Sequence, residues 1–241
     1  MNIWEHSDKI KRVLVVAAHP DDIDFGAAGT VGTLIDAGVE VSYCIVTDGD
    51  AGGSDESVSR LEMASLRREE QRNAAECLGV FDIEFLGYPD GRVTASLELR
   101  RDISRAIRLS CPQLVIAPSP ERVWERIFVS HPDHLAVGEA TVCAIYPDAR
   151  NPFAHPELLS EGIKPHVVEK LWLMADPNPN LSVDVTEHFE AKIAALGCHQ
   201  SQIADIKPIA QRLSEAGRAS ALNSGLPDGA IAELFRAIPT A

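Results

Sequence analysis

The segment that most constrains the fold is residues 12–18, whose sequence RVLVVAA is apolar in every position after the first. A strand with one solvent-exposed face would alternate apolar and polar side chains, and this run does not. It therefore predicts a strand buried on both faces, which is typical of a parallel sheet covered by helices. Pro20 lies two residues after the run and ends it.

Strand-like and helix-like segments then alternate along the chain. Further strands are predicted at residues 39–46, 83–86, 113–117, 167–174 and 183–185, and helices at 26–37, 59–78, 97–109, 132–145 and 187–196. This alternation predicts a Rossmann-like, doubly wound α/β fold with a mostly parallel sheet and helices on both faces. Residues 119–130 are expected to form a loop. The tail from Asp205 is expected to be largely helical, with an interruption near residues 217–229.

The composition narrows the class of protein. The 241 residues include 36 acidic and 22 basic side chains, a net charge of −14, which disfavours nucleic acid and anionic membrane surfaces as partners. The five cysteines are scattered without a CxxC motif, so we expect free thiols and a cytoplasmic protein. We find neither an internal repeat nor a linker, and expect a single domain over residues 1–241 with a C-terminal elaboration.

Two polar clusters follow predicted strands. His19-Pro20-Asp21-Asp22 comes directly after the first strand, and His131-Pro132-Asp133-His134 follows the fourth strand and opens a helix. Ligands of open α/β sheets bind beyond the carboxyl ends of the strands, so the fold can bring the clusters together. One His-Pro-Asp sequence alone is more often a turn. Two such clusters, each just past a strand, favour a functional site.

The residue types in these clusters suit a metal. Catalytic zinc sites use three protein ligands and leave a fourth position for water or substrate, a need that two imidazoles and a carboxylate meet. The same ligand types also suit iron(II), so the spacing does not choose between the two metals.

With these motifs, the chain resembles the PIG-L/LmbE-like zinc N-deacetylases, which include N-acetylglucosaminyl-inositol deacetylases and enzymes of the bacillithiol and mycothiol pathways. The resemblance covers nearly the whole chain. Its most specific parts are AHPDD at 18–22 and HPDH at 131–134, supported by TDG at 47–49, LRREE at 66–70, YPDG at 88–91 and HQSQ at 199–202. One departure is that Ile23 stands where many members have Glu, and Asp24 follows it.

The resemblance implies which residues bind the metal and which one is the general base. Metal ligation would fall to His19, Asp22 and His134, and Asp21 would be the general base. Zinc would lower the pKa of bound water from 15.7 to roughly 7, and a carboxylate beside that water would remove its proton.

The resemblance also implies roles outside the metal ligands. His131, oriented by Asp133, would stabilise the oxyanion or protonate the leaving amine. Arg67 would contact substrate, and His199 would form a wall of the pocket. Asp90 is a further substrate-binding candidate, although Asp in a glycine-containing turn is also common for backbone capping.

These inferences predict a metal-dependent hydrolase that removes an acetyl or other acyl group from the amide nitrogen of a small substrate, such as an N-acetylated amino sugar. Zinc is the expected cofactor, with iron(II) or another divalent ion as the alternative. The resemblance also implies a homo-oligomer.

Two other classes of protein compete with this interpretation. One is a non-catalytic metal- or sugar-binding module, which would need the ligands but neither Asp21 nor His131. The other is a dinucleotide-binding oxidoreductase, which is disfavoured because the Gly-x-Gly-x-x-Gly turn expected after the first strand is replaced by residues 19–22.

Overall fold

The computed structural model describes residues 1–5, 9–53 and 55–241. Within these ranges one eight-stranded sheet is formed by β1 (Asn2–Ile3), β2 (Arg12–Ala17), β3 (Glu40–Thr47), β4 (Asp82–Tyr88), β5 (Leu114–Pro118), β6 (Lys170–Met174), β7 (Leu181–Asp184) and β8 (Ala232–Pro239). The strand order is β1-β7-β8-β6-β5-β2-β3-β4. Strand β8 runs antiparallel to its neighbours β6 and β7, and every other neighbouring pair is parallel. The predicted mostly parallel α/β fold is confirmed.

The α-helices of the described chain are α1 (Asp22–Gly26), α2 (Ala28–Asp36), α3 (Arg60–Cys77), α4 (Leu97–Ser110), α5 (Pro132–Cys143), α6 (Pro156–Ser160), α7 (Phe189–Gly197) and α8 (Ile206–Ser224). None of these helices has the length and hydropathy needed to cross a bilayer.

Strand β2 is buried on both faces, as its apolar sequence predicts. Val13 and Val15 belong to a core cluster that includes residues of α2, α3 and α7. Leu14 and Val16 belong to a second cluster, which includes residues of α4 and α5. The side chains of one strand therefore fill two cores, one on each side of the sheet.

The strand order explains where in the sheet the two polar clusters meet. After β2 the chain proceeds to β3 on one side, and after β4 it returns through α4 to β5 on the other side of β2. The direction in which successive strands are added to the sheet thus reverses at β2. In open α/β sheets such a point forms a crevice, here beyond the carboxyl ends of β2 and β5. The two polar clusters lie in the segments that follow these two strands.

The predicted helical tail was wrong in one respect. The tail contains the final strand β8, which is inserted between β6 and β7. Helix α8 continues through Gly217 and ends at Ser224, so the interruption expected near residues 217–229 begins at Gly225. Gly217 is buried within that helix, where an added Cβ would lie 2.5 Å from Cγ2 of Ile231. The glycine therefore permits close packing of α8 against the segment that leads into β8.

Two smaller predictions also differ from the structure. The helix expected at 26–37 begins earlier, at Asp22, and is divided into α1 and α2 at Ala27, whose φ of −146° is not helical. The loop expected at 119–130 contains a 3-10 helix, Trp124–Val129.

Candidate metal centre and active site

The turn after β2 is built by Asp22. Its Oδ2 accepts hydrogen bonds from the backbone N–H groups of His19 (2.8 Å) and Ala18 (3.1 Å). Asp21, between them, has a φ of 90°, in the left-handed region that non-glycine residues rarely adopt. A strained residue held in this way is typical of functional sites, because the surrounding structure must stabilise it. The turn brings the side chains of His19 and Asp22 together.

Side chains from both polar clusters meet at the carboxyl ends of β2 and β5. Nδ1 of His19 lies 3.3 Å from Nε2 of His134 and 3.4 Å from Oδ2 of Asp22. Nε2 of His134 lies 2.9 Å from Oδ1 of Asp22. In a tetrahedral zinc site with bonds of about 2.0–2.1 Å, ligand atoms stand about 3.3–3.4 Å apart. The three side chains therefore fit a metal ion of this size.

The other nitrogen of each imidazole has its own acceptor. Nε2 of His19 lies 3.1 Å from Oδ1 of Asp90 and 3.3 Å from Oδ2 of Asp133. Nδ1 of His134 lies 3.1 Å from the carbonyl oxygen of Val129. Metal-binding histidines characteristically donate their second N–H to such oxygens, which orients the ring and fixes its tautomer. The nitrogens left for a metal are the two that face each other.

The charges around the centre favour protonated imidazoles when no cation is present. Burial lowers the pKa of His19, but the carboxylates of Asp22, Asp133 and Asp90 outweigh burial and raise the pKa to about 12. For His134 burial likewise lowers the pKa, and Asp22 more than reverses this effect. The cluster is thus electrostatically arranged for positive charge, which a divalent ion can supply in place of protons.

Asp21 is positioned beside the cluster but does not belong to it. Its Oδ2 accepts a hydrogen bond from Nη2 of Arg67 at 3.2 Å, and its backbone N–H donates to Oε1 of Gln71 at 2.8 Å. Burial and the Asp22 carboxylate raise the pKa of Asp21 to about 7, although Arg67 opposes them. A carboxylate in this position can exchange a proton with a reacting group.

Gln71 connects the backbone of Asp21 to a series of buried hydrogen bonds. Gln71 also donates from Nε2 to Oδ2 of Asp24 at 2.9 Å, and Nε2 of His199 lies 2.8 Å from the same oxygen. Sequence reasoning missed Gln71, which lies one residue beyond the segment 66–70. Its position on α3, four residues after Arg67, places both residues on one helix face and was the available signal.

The expected pairing of Asp133 with His131 was wrong. The Asp133 carboxylate accepts hydrogen bonds from the backbone N–H groups of Gly91 (2.7 Å) and Val93 (3.2 Å) and lies against His19, not His131. The contact between Asp133 and His131 is instead from the Asp133 backbone N–H to Nδ1 of His131, at 3.2 Å. Asp133 therefore orients a candidate metal ligand.

His131 accepts a hydrogen bond at Nδ1. Because its Nδ1 accepts a backbone hydrogen bond, its proton resides on Nε2. The pKa of His131 is lowered from its ordinary value by burial and by the neighbouring positive charge of His19. The ring centroid lies 4.9 Å from that of His19 and 5.6 Å from that of His134. His131 can thus donate a hydrogen bond next to the metal position.

Two of the substrate-binding candidates are buried among other protein groups. Arg67, 4% exposed, donates to the carbonyl oxygens of Pro20 (2.6 Å) and Gly49 (3.0 Å) as well as to Asp21. His199 is 0% exposed and bonds Asp24, so it forms no wall of an open pocket. Both side chains are placed to position Asp21 or its neighbours.

Asp90, the third substrate-binding candidate, is 8% exposed. Besides contacting His19, it accepts a hydrogen bond from the backbone N–H of Ala51 at 3.2 Å. Asp90 therefore contacts a candidate metal ligand and also hydrogen-bonds the loop after β3.

The chain is similar to a known protein family and to several named proteins. The family model described as PIG-L, GlcNAc-PI de-N-acetylase, matches residues 14–145. A diacetylchitobiose deacetylase of Thermococcus kodakarensis is 34% identical over 200 residues, covering 83% of this chain and 73% of the relative. A probable N-acetyl-alpha-D-glucosaminyl L-malate deacetylase 2 of Bacillus cereus is 31% identical, covering 80% of this chain and 84% of the relative.

A solved structure is similar over almost the whole chain. It is the N,N'-diacetylchitobiose deacetylase from Pyrococcus horikoshii, with a TM-score of 0.86 and 32% sequence identity over 96% of this chain and 85% of that one. The family model matches more than half of the chain. The two relatives are 34% and 31% identical to it over at least 80% of its length. The chain therefore belongs to the PIG-L family of de-N-acetylases.

Proposed function

We propose that the protein is a zinc-dependent N-deacetylase that hydrolyses the acetamide of an N-acetylated amino sugar, alone or conjugated to a second group. The observation that carries the proposal is the convergence of His19, Asp22 and His134, whose imidazole nitrogens and carboxylate oxygens approach one another to 2.9–3.4 Å. The relatives named above support the substrate class, since their names describe deacetylases of diacetylchitobiose and of N-acetyl-alpha-D-glucosaminyl L-malate.

The proposed reaction is the hydrolysis of one amide bond. The oxygen of water attaches to the carbonyl carbon of the amide, the carbon–nitrogen bond breaks, and the nitrogen gains a proton. The products are acetate and a free amino sugar. A zinc ion held by the three ligands would polarise the carbonyl and acidify water, chemistry that iron(II) can also supply.

Asp21 moves the proton in this proposal. Its carboxylate accepts a proton from the attacking water and later delivers it to the departing nitrogen. Arg67 and Gln71 hold the residue for this exchange, through the carboxylate and the backbone N–H respectively. General acid–base catalysis needs such fixed geometry before it needs a particular pKa.

His131 stabilises the negative charge that forms on the carbonyl oxygen. Its donor is Nε2–H, because Nδ1 accepts the backbone N–H of Asp133. A donor placed where charge develops lowers the barrier without binding the ground state more tightly. A role as hydrogen-bond donor fits a ring whose Nδ1 accepts a hydrogen bond and whose pKa is lowered.

Metal removal and reloading test the proposal. The protein is stripped with a chelator, loaded with one equivalent of zinc or iron(II), and incubated with N-acetylglucosamine, N,N'-diacetylchitobiose and N-acetylglucosaminyl malate. We expect acetate and free amine in equal amounts, and no product without metal. Absence of hydrolysis of all three sugars by the metal-loaded protein would contradict the proposal.

The homo-oligomer that the resemblance implies stays a prediction. Light scattering coupled to size-exclusion chromatography measures it directly.

A further inference from the structure

A cavity of about 600 Å³ adjoins the candidate metal centre. Two of the candidate ligands, Asp22 and His134, form part of its wall. Asp21 and His131 do not, although both lie beside the same ligands. The cavity is therefore lined by candidate metal ligands but not by the proton-handling groups.

The wall of the cavity is mostly apolar. It includes Gly26 of α1, Met174 at the end of β6, Val185 after β7, Phe189 of α7 and Ile231 before β8. Apart from the glycine, these side chains belong to the core and are at most 9% exposed. Such a lining favours an apolar occupant over a second sugar, whose hydroxyl groups would need hydrogen-bond partners.

The charged groups in the wall do not alter this character. Lys192 and Glu233 are buried and pair with each other at 2.5 Å. Asp176 already accepts hydrogen bonds from a side-chain hydroxyl and a backbone N–H. Arg126 and Arg212 are exposed at the protein surface. Apart from the candidate ligands, the buried charged groups of the wall are therefore paired or hydrogen-bonded within the protein, and much of the remaining lining is apolar.

The proposed mechanism fixes which part of an amide would face the cavity. The carbonyl carbon carries two groups besides oxygen, namely the nitrogen and the acyl chain. The nitrogen receives its proton from Asp21 and must point towards it. The acyl chain then points away from Asp21, and the space lined by Asp22 and His134 but not by Asp21 is the cavity.

We propose that this cavity is an acyl-chain site and that the protein hydrolyses N-acyl amino sugars with acyl groups longer than acetyl. The inference rests on the proposed function, since it takes the same amide hydrolysis and extends only the acyl group. Water adds to the same carbon and the same carbon–nitrogen bond breaks, so the products are a longer carboxylate and the free amino sugar.

A series of N-acyl glucosamines tests the inference: acetyl, butyryl, hexanoyl and octanoyl, each below its micelle concentration. Burial of one methylene is worth up to about a fourfold gain in binding, so we expect kcat/KM to rise by roughly tenfold or more from acetyl to hexanoyl. A flat or falling series would overturn the inference and leave the proposed function intact. Absence of hydrolysis of every member would overturn both.

A matched pair of variants on α8 tests whether the acyl chain of the substrate occupies the cavity. Ala216 and Ala219 are both exposed alanines of this helix, but only Ala216 lines the cavity. We expect Ala216→Leu to lower the preference for octanoyl over acetyl by about tenfold, because the larger side chain fills space, and Ala219→Leu to leave it unchanged.

Two results with these variants would overturn the inference. One is an unchanged acyl preference in Ala216→Leu. The other is a selective loss of activity on N,N'-diacetylchitobiose relative to N-acetylglucosamine, because the cavity would then hold the second sugar.

Discussion

Replacement of Asp133 by asparagine separates a role in orienting the metal ligand from a role in the chemical step. The carboxylate is 1% exposed and has three partners, the N–H groups of Gly91 and Val93 and Nε2 of His19. Asparagine offers one acceptor oxygen in place of two. It can serve Gly91 and His19, but its NH₂ group then faces the N–H of Val93.

The magnitude follows from these contacts. An unsatisfied buried N–H costs about 1–3 kcal/mol, so the free energy of unfolding of the metal-free protein should fall by about that amount. Loss of a carboxylate that supports a metal-binding histidine typically weakens metal binding 10- to 100-fold. Because Asp90 keeps its own contact with His19, 3.1 Å away, we expect the lower end of this range, about tenfold.

Competition with a chelator measures zinc affinity, and urea denaturation measures stability. At saturating zinc, Asp133→Asn should recover most of its activity. Asp36→Asn, which alters an exposed carboxylate near His188, is the control and should change neither property. If Asp133→Asn kept normal zinc affinity but stayed inactive, Asp133 would act in catalysis itself and our interpretation of its contacts would be refuted.

Further predictions concern the neighbouring groups. His131→Ala should keep its zinc and lose about 100- to 1,000-fold in kcat with little change in KM, as steady-state kinetics and metal analysis would check. Arg67→Lys should destabilise the protein by about 3 kcal/mol in urea denaturation, since lysine cannot reproduce the planar fork that serves two carbonyl oxygens and Asp21. Zinc affinity should fall as pH falls, because carboxylates raise the pKa values of His19 and His134 and zinc must displace their protons. Calorimetry in buffers of different ionisation enthalpy would detect that proton release.

The sequence predicts those parts of the structure that local pattern controls. The apolar run at 12–18 indicates a doubly buried strand, and strands of this kind place the following residues at one edge of the sheet. That relation is why two clusters separated by more than a hundred residues could be expected to meet. The helix from Arg60 to Cys77 is similarly encoded, since Ser59 and Glu62 form a capping box at its start.

Partners within the site could not be predicted in the same way. Whether Asp133 contacts His131 or His19 depends on where the loop containing Gly91 and Val93 approaches, and that loop comes from another strand of the sheet. Strand β8 was missed because its sequence, AELFRAIP, lacks a clean alternation and follows a helical pattern. Its place in the sheet is determined by pairing with β6 and β7, which are distant in sequence.

We propose that Asp21 transfers the proton while its neighbour Asp22 holds the metal. Measurement of kcat for zinc-loaded Asp21→Asn tests this division of roles most directly. The amide of asparagine cannot accept a proton from water, whereas His19, Asp22 and His134 remain in place. We expect one bound zinc per chain and a kcat about 100- to 10,000-fold below that of the parent protein. Near-normal kcat with zinc bound would contradict the account.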